Sequence, residues 1–362
     1  MAYTEIDDPS VYFQIKLYTA ADAYTFDGNS DMQPDWMWIK ERNGTNEHNL
    51  FDSVRGTTKR LETSTTAAEQ TSSTTLTAFG SDGFTVGNNP GTGQNGSNYA
   101  AWGWKAGTSV SGNTTGSGTA KAYTGSVNTD SGFSIIKYIG NGAAGHTIPH
   151  HLGAVPKMMI IKRIDAVGGS AGLDAWMIYH QALGNTNRLI FTDAATDAEV
   201  GYFNNTTPTS SVFTLGVNNA GNNTDYGYIA YSFAEKQGYS KFGSYTGNDN
   251  ANGPFVYLGF KPAWIMIKRT DTENTSSNMN GSHWVMLDNK RDTINTAGAA
   301  HALTANRKDA EDTSNLTNVD FLSNGFKFRG GADAVNASAA YVFMAFAENP
   351  FVTSTGIPAT AR

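Results

Sequence analysis

Hydrophobic residues in this chain come in short runs, separated by stretches of Gly, Asn, Ser and Thr, a pattern that predicts strands and turns and no long helix. Three of the runs are nearly the same. Trp36-Met37-Trp38-Ile39 follows Pro34-Asp35 and ends on Lys40; Met158-Met159-Ile160-Ile161 follows Pro156-Lys157 and ends on Lys162; Trp264-Ile265-Met266-Ile267 follows Pro262-Ala263 and ends on Lys268. Each run is apolar at both parities, which predicts an inner strand covered on both faces. The prolines are expected at the strand entries, where no ladder donor is needed, and the lysines where the strands emerge into solvent.

Other landmarks recur around these runs in the same order. Tyr18, Tyr138 and Tyr245 precede the prolines by 16, 18 and 17 residues. Downstream come Gly83-Phe84-Thr85-Val86, Val212-Phe213-Thr214-Leu215 and Gly325-Phe326-Lys327-Phe328, each a short strand after a turn. Aromatic strands close each segment: Tyr99-Ala100-Ala101-Trp102-Gly103-Trp104, Tyr228-Ile229-Ala230-Tyr231-Ser232-Phe233 and Tyr341-Val342-Phe343-Met344-Ala345-Phe346. One parity of these strands is large and apolar and predicts a core face; the other carries Gly103, Ser232 and Ala345, small enough for close approach.

A threefold internal repeat follows, and with it an all-β chain of three tandem β-sandwich domains, lectin-like or jelly-roll-like. The expected boundaries are 1–107, 131–238 and 239–351, with a Gly/Ser/Thr-rich flexible linker over 108–130 and a tail over 352–362. The tight second junction predicts that the last two domains pack together, with the first freer.

Charged residues make up 16% of the chain against about 25% in ordinary soluble proteins. The net charge of −7, with no cluster of Lys and Arg, argues against nucleic-acid binding. No apolar stretch is long enough for a membrane-spanning helix, and Met1-Ala2-Tyr3-Thr4-Glu5 lacks the features of a secretory signal, so no membrane insertion is expected and assembly in a host cytoplasm is. With no cysteine, disulfides and thiolate chemistry are excluded.

Candidate chemistry is sparse. His146, His150 and His151 cluster, but adjacent strand residues point to opposite faces, poor geometry for a metal. Asn248-Asp249-Asn250-Ala251-Asn252-Gly253 faintly echoes a calcium loop, yet Asn248 and Gly259 stand where an aspartate and a glutamate would be needed. The pairs Asp7 and Asp8, Asp271 and Glu273, and Glu311 and Asp312 lie in polar sequence and are expected to be solvated. Trp36, Trp102, Trp104, Trp264 and Trp284 fill positions occupied in other segments by Met, Ile, Tyr or Phe, which predicts core packing over sugar stacking. No catalytic residue, cofactor or metal ligand is therefore assigned.

The run Phe242 to Asn248, continued through Gly253 to Asp271, resembles a repeat of virion proteins from marine tailed phages. Further resemblance lies in Ile6-Asp7-Asp8-Pro9, Phe51-Asp52-Ser53-Val54-Arg55-Gly56, Tyr138-Ile139-Gly140-Asn141-Gly142 and Asp288-Asn289-Lys290-Arg291-Asp292, and those first two motifs are similar to cyanophage-type proteins. The resemblance implies a non-enzymatic tail-fibre or appendage component located in the virion. Its partners would be other virion proteins and host-surface glycans. Avidity leads to the expectation of a homo-oligomer, a trimer first. A capsid decoration protein is the alternative, and a glycan depolymerase the third.

Overall fold

The computed structural model describes residues 4–166, 175–192, 194–276, 279–292, 295, 301–314 and 317–358. The fold is all-β. Among the described residues the only helices are Val200–Phe203, Asn219–Asn222 and the 3-10 turn Pro9–Val11.

Three antiparallel sheets share one strand order. In the first, Phe13–Thr19 pairs with Asn98–Trp104, which pairs with Trp36–Glu41, which pairs with Asn49–Asp52. The second runs Phe133–Ile139, Gly227–Phe233, Met158–Arg163, Met177–His180, and the third Ser240–Thr246, Ala340–Pro350, Phe260–Arg269, Trp284–Asp288. Register is shared as well. Two residues beyond each proline, Trp36, Met158 and Trp264 face Trp104, Phe233 and Phe346; four beyond, Trp38, Ile160 and Met266 face Trp102, Tyr231 and Met344.

On the outward side of each sheet lies a smaller, three-stranded one, giving a β-sandwich-like pair of layers. These are Ala23–Tyr24, Gly83–Val86 and Leu76–Gly80; Thr115–Gly116, His146–Pro149 and Val212–Leu215; and Phe255–Tyr257, Gly325–Phe328 and Val319–Leu322. The small residues of the closing strands face these layers. A Cβ on Gly103 would lie 2.7 Å from the Phe26 ring, and Ser232 and Ala345 are fully buried. They let layers within the chain meet closely and offer no surface to a second copy.

The inward sides of the three large sheets meet one another. One continuous core holds Trp36, Trp38, Trp102, Trp104, Trp176, Trp264 and Trp284, all seven tryptophans, with Phe133, Tyr231, Phe233, Phe242 and Phe346. Trp36 stacks on Tyr231 at 4.7 Å, and Trp104 meets Trp264 edge-on at 5.6 Å. The first segment, expected to be freer, is thus as firmly packed as the others, because its inner face is the most aromatic of the three.

Contacts between segments run in one rotational sense. The Glu69 amide donates to Ile164 O at 3.0 Å, Thr196 to Thr270 O at 3.1 Å, and Glu311 to Arg42 O at 2.7 Å. Each acceptor is the residue just past one of the proline-led strands, in the second, third and first segments respectively. The ring therefore closes on itself.

Three local expectations need correction. Residues 108–130 are no flexible linker: Thr108–Asn113 and Ala122–Asn128 form a hairpin that pairs onto Phe133–Ile139. Tyr123 and Val127 alternate into the second outer core, and Thr supplies strand propensity that a composition count reads as linker. Lys40, Lys162 and Lys268 do not emerge into solvent but are fully buried. Backbone carbonyls cap their amino groups: Glu41 O at 2.6 Å and Gly44 O for Lys40, Thr66 O for Lys162, and Ser282 O for Lys268. Burial pulls Lys40 down to about 8. Pro262, finally, sits inside its strand, at a break in register where the missing N–H costs no ladder bond.

Candidate functional site

Each histidine singled out in the sequence is occupied by the fold. In His146, Nδ1 lies 2.8 Å from Asn222 Oδ1 and Nε2 lies 2.7 Å from Thr114 Oγ1, which also accepts from the Lys121 amide. An Nδ1–H tautomer satisfies the whole chain, and burial holds the ring below its usual range. His150 accepts from the Leu152 amide and lies 3.1 Å from Thr209 O, and burial pushes it to about 4. His151 turns away through a positive φ of 58° toward the Tyr123 hydroxyl. The three do not converge, and no group of three His, Cys, Asp or Glu suited to a metal exists among the described residues.

The oxygens of the 248–253 loop converge on an amide. Asn336 Nδ2 donates to Gly330 O at 2.7 Å, Asn250 O at 2.9 Å and Asn248 Oδ1 at 3.3 Å, and so fills the space a cation would take. Asn222 does the same work in the second segment, donating to Gly216 O and Ala143 O and accepting from the Asn141 amide. Neither asparagine was foreseen from the sequence.

Of the carboxylates in the expected pairs, Glu273 is exposed, and the others are engaged one by one. Asp7 accepts from the Ser354 amide, Asp8 from Ser10, and Asp271 from Arg269 Nε at 2.9 Å. Glu311, expected to be solvated, is mostly buried and bridges Arg42 at 2.8 Å and Arg291 at 3.0 Å. It belongs to a second, unforeseen set of polar groups. Opposite Trp36, Met158 and Trp264 stand Asp52, His180 and Asp288. Asp52 accepts from Arg55 Nε and, at 2.7 Å, from the Tyr231 hydroxyl of the second segment. Asp288 accepts from Arg291 Nε and from Trp102 Nε1 of the first. His180 Nε2 donates to Phe343 O of the third at 3.1 Å. The only sequence signal was Asp-x-x-Arg, at Asp52 and Asp288.

A tyrosine clamp is common to all segments. Tyr18 stacks on Tyr99 at 5.1 Å, Tyr138 on Tyr228 at 5.2 Å and Tyr245 on Tyr341 at 4.9 Å. Their hydroxyls pin the loop before the closing strand: Tyr18 to Thr92 O, Tyr138 to Gly221 O and Tyr245 to Val335 O. The buried members of these sets are spent on holding the fold.

Among the described residues, two open clefts stand out. One, of about 490 Å³, is lined by Glu5, Glu235, Gln237, Lys241, Tyr257 and Phe351; the other, of about 340 Å³, lies between the first and third segments beside Gln14, Asp27, Lys290 and Glu348. A family model described as Domain of unknown function (DUF7483) matches residues 8–350. The chain belongs to that family. The match spans all three segments as one unit, in keeping with a core none of them completes alone. No curated protein and no solved structure matches the chain.

Proposed function

We propose that the chain is a structural, non-enzymatic virion protein of a tailed phage, a tail-fibre or appendage component that meets host-surface glycans through a lectin-like rim. The observation that carries this reading is where the polar chemistry goes. His146, His180, Asp52, Asp288, Asn222 and Asn336 are all spent on internal hydrogen bonds, which supports a scaffold over a catalyst. The phage assignment is supported by the sequence resemblance. Several copies on one axis, a trimer first, would turn weak single contacts into avidity; light scattering that returns the 38.7 kDa of one chain rejects that assembly.

Immunogold microscopy on particles tests the reading. Label along the tail supports it, and label on the head favours a capsid decoration protein. Sugar release from host envelopes by the purified chain would replace both with a depolymerase.

A further inference from the structure

The three outer sheets offer a direct comparison of what the fold requires with what it does not. Opposite Phe84, Phe213 and Phe326 stand Tyr24, Ile148 and Val256, apolar in every segment. The flanking positions point outward. They hold Ala23 and Thr25 in the first segment, Thr147 and Pro149 in the second, but Phe255 and Tyr257 in the third. Phe255 is 44% exposed and Tyr257 56% exposed. Single exposed apolar residues are ordinary. Phe255 lies across Gly325 of the next strand, yet both rings, at positions where the other segments carry small residues, keep about half their surface open to solvent.

Side chains two apart on a strand lie about 6.6–6.8 Å apart, so the rings form a continuous ledge. Tyr257 stands on the rim of the 490 Å³ cleft, and the other side of that cleft carries Glu5, Glu235, Gln237, Ser240 and Lys241. Glu235 and Lys241 lie 3.9 Å apart, each about a third exposed, so they are placed at the rim and still reachable from solvent. We propose that this ledge and cleft bind a saccharide, with one pyranose face on the Tyr257 and Phe255 rings and its hydroxyls between Glu235 and Lys241.

The chemistry selects this class. An aromatic face is negative and attracts the polarised C–H groups of a sugar ring. A carboxylate accepts from one hydroxyl while the ammonium beside it donates to the neighbouring one. Glu5 pairs with Lys236 at 3.3 Å and Glu235 with Lys241, so this rim carries no net charge to attract a uronate or sulfated sugar, and the ligand is neutral. The inference rests on the glycan-facing role proposed above and names its site.

The test is native affinity electrophoresis of the full chain in gels containing laminarin, mannan or alginate. A neutral polysaccharide should retard the chain and alginate should not. Tyr257→Ala and Phe255→Ala, both at exposed positions, should each weaken that retardation about tenfold while leaving the unfolding midpoint in place. Glu235→Gln should weaken it less. Failure of both neutral polymers to retard the chain overturns the proposal, as does a Tyr257→Ala variant that runs like the unchanged protein. A chain found on particles but retarded by neither neutral polymer removes this site and leaves the virion reading; retardation through Tyr257 by a chain absent from particles does the reverse.

Discussion

The two faces of the central strands are equally dry but differ in who covers them. Along Trp36–Glu41, Trp36 and Trp38 enter the core shared by all three segments, whereas Met37 and Ile39 enter a cluster made only of first-segment residues such as Tyr18, Phe26, Phe51 and Leu76. The second and third segments repeat this division. An outer face can therefore be buried by its own segment; an inner face cannot. A segment alone would present its tryptophans and phenylalanines to water as one apolar patch, which an isolated soluble domain rarely tolerates. The sandwiches are local units, and the ring is the unit of stability.

The strongest way to break this contrast is Phe346→Ala. That ring touches Phe13 and Trp104 of the first segment, Phe233 of the second and Trp264 of the third. Losing it should cost about 3–5 kcal/mol. Because the contacts cross segments, denaturant unfolding followed by tryptophan fluorescence and by circular dichroism should shift together in one transition. A separate early transition would show the third segment unfolding by itself. Asp288→Ala should cost a comparable amount, roughly 3–5 kcal/mol, since it removes the nearer and fully buried of the two carboxylates that neutralise Arg291. Glu311 still reaches Arg291, which places the loss toward the low end of that range.

How the sequence encodes these two faces differs in kind. Strand identity, order and the closing aromatic parity were legible because period two and the spacing from proline survive in every segment. The core position of Trp36, Trp102, Trp104, Trp264 and Trp284 was legible for the same reason. What period two does not encode is which partner covers a face, so the strands were readable while their assembly into a ring was not. Long-range polar pairs such as Asp52 with Tyr231 join residues far apart in sequence, and only the Asp-x-x-Arg spacing hinted at them. The 108–113 and 122–128 hairpin was hidden because Thr and Ser serve equally in strands and in linkers. Of the proposed saccharide site, Tyr257 and Phe255 looked like ordinary strand residues until the register showed them to point outward.

Acid sharpens the comparison. Burial pushes His180, which touches the inner core, down to about 4, against about 6.5 when unfolded. Above about pH 6.5 the ring is neutral in both states and costs nothing. Between about 6.5 and 4 only the unfolded chain takes the proton, so stability falls as pH falls, by about 3 kcal/mol for this residue, and levels off below. His48, also buried and held well below its usual range, adds to the same slope. Urea unfolding at pH 7 and pH 4.5 checks this, and His180→Gln should flatten the slope without removing it. An unchanged slope in that variant would assign the acid sensitivity to His48 and to the outer-layer rings His146 and His150 instead.

The smallest effect probes an outer layer alone. Tyr138 stacks on Tyr228 and gives its hydroxyl proton to Gly221 O at 2.7 Å, so Tyr138→Phe keeps the ring and its stacking while leaving that carbonyl unpaired. The expected loss is about 1 kcal/mol. Its location matters more than its size. The clamp holds the loop ahead of Gly227–Phe233 and touches no residue of another segment, so the loss should appear as faster hydrogen exchange at Asn222 and Asn223, with the Met158–Arg163 strand still fully protected. If amides of Trp36–Glu41 or Phe260–Arg269 exchanged faster as well, the outer layers would be coupled through the ring, and the division between local sandwiches and a shared centre would have to be given up.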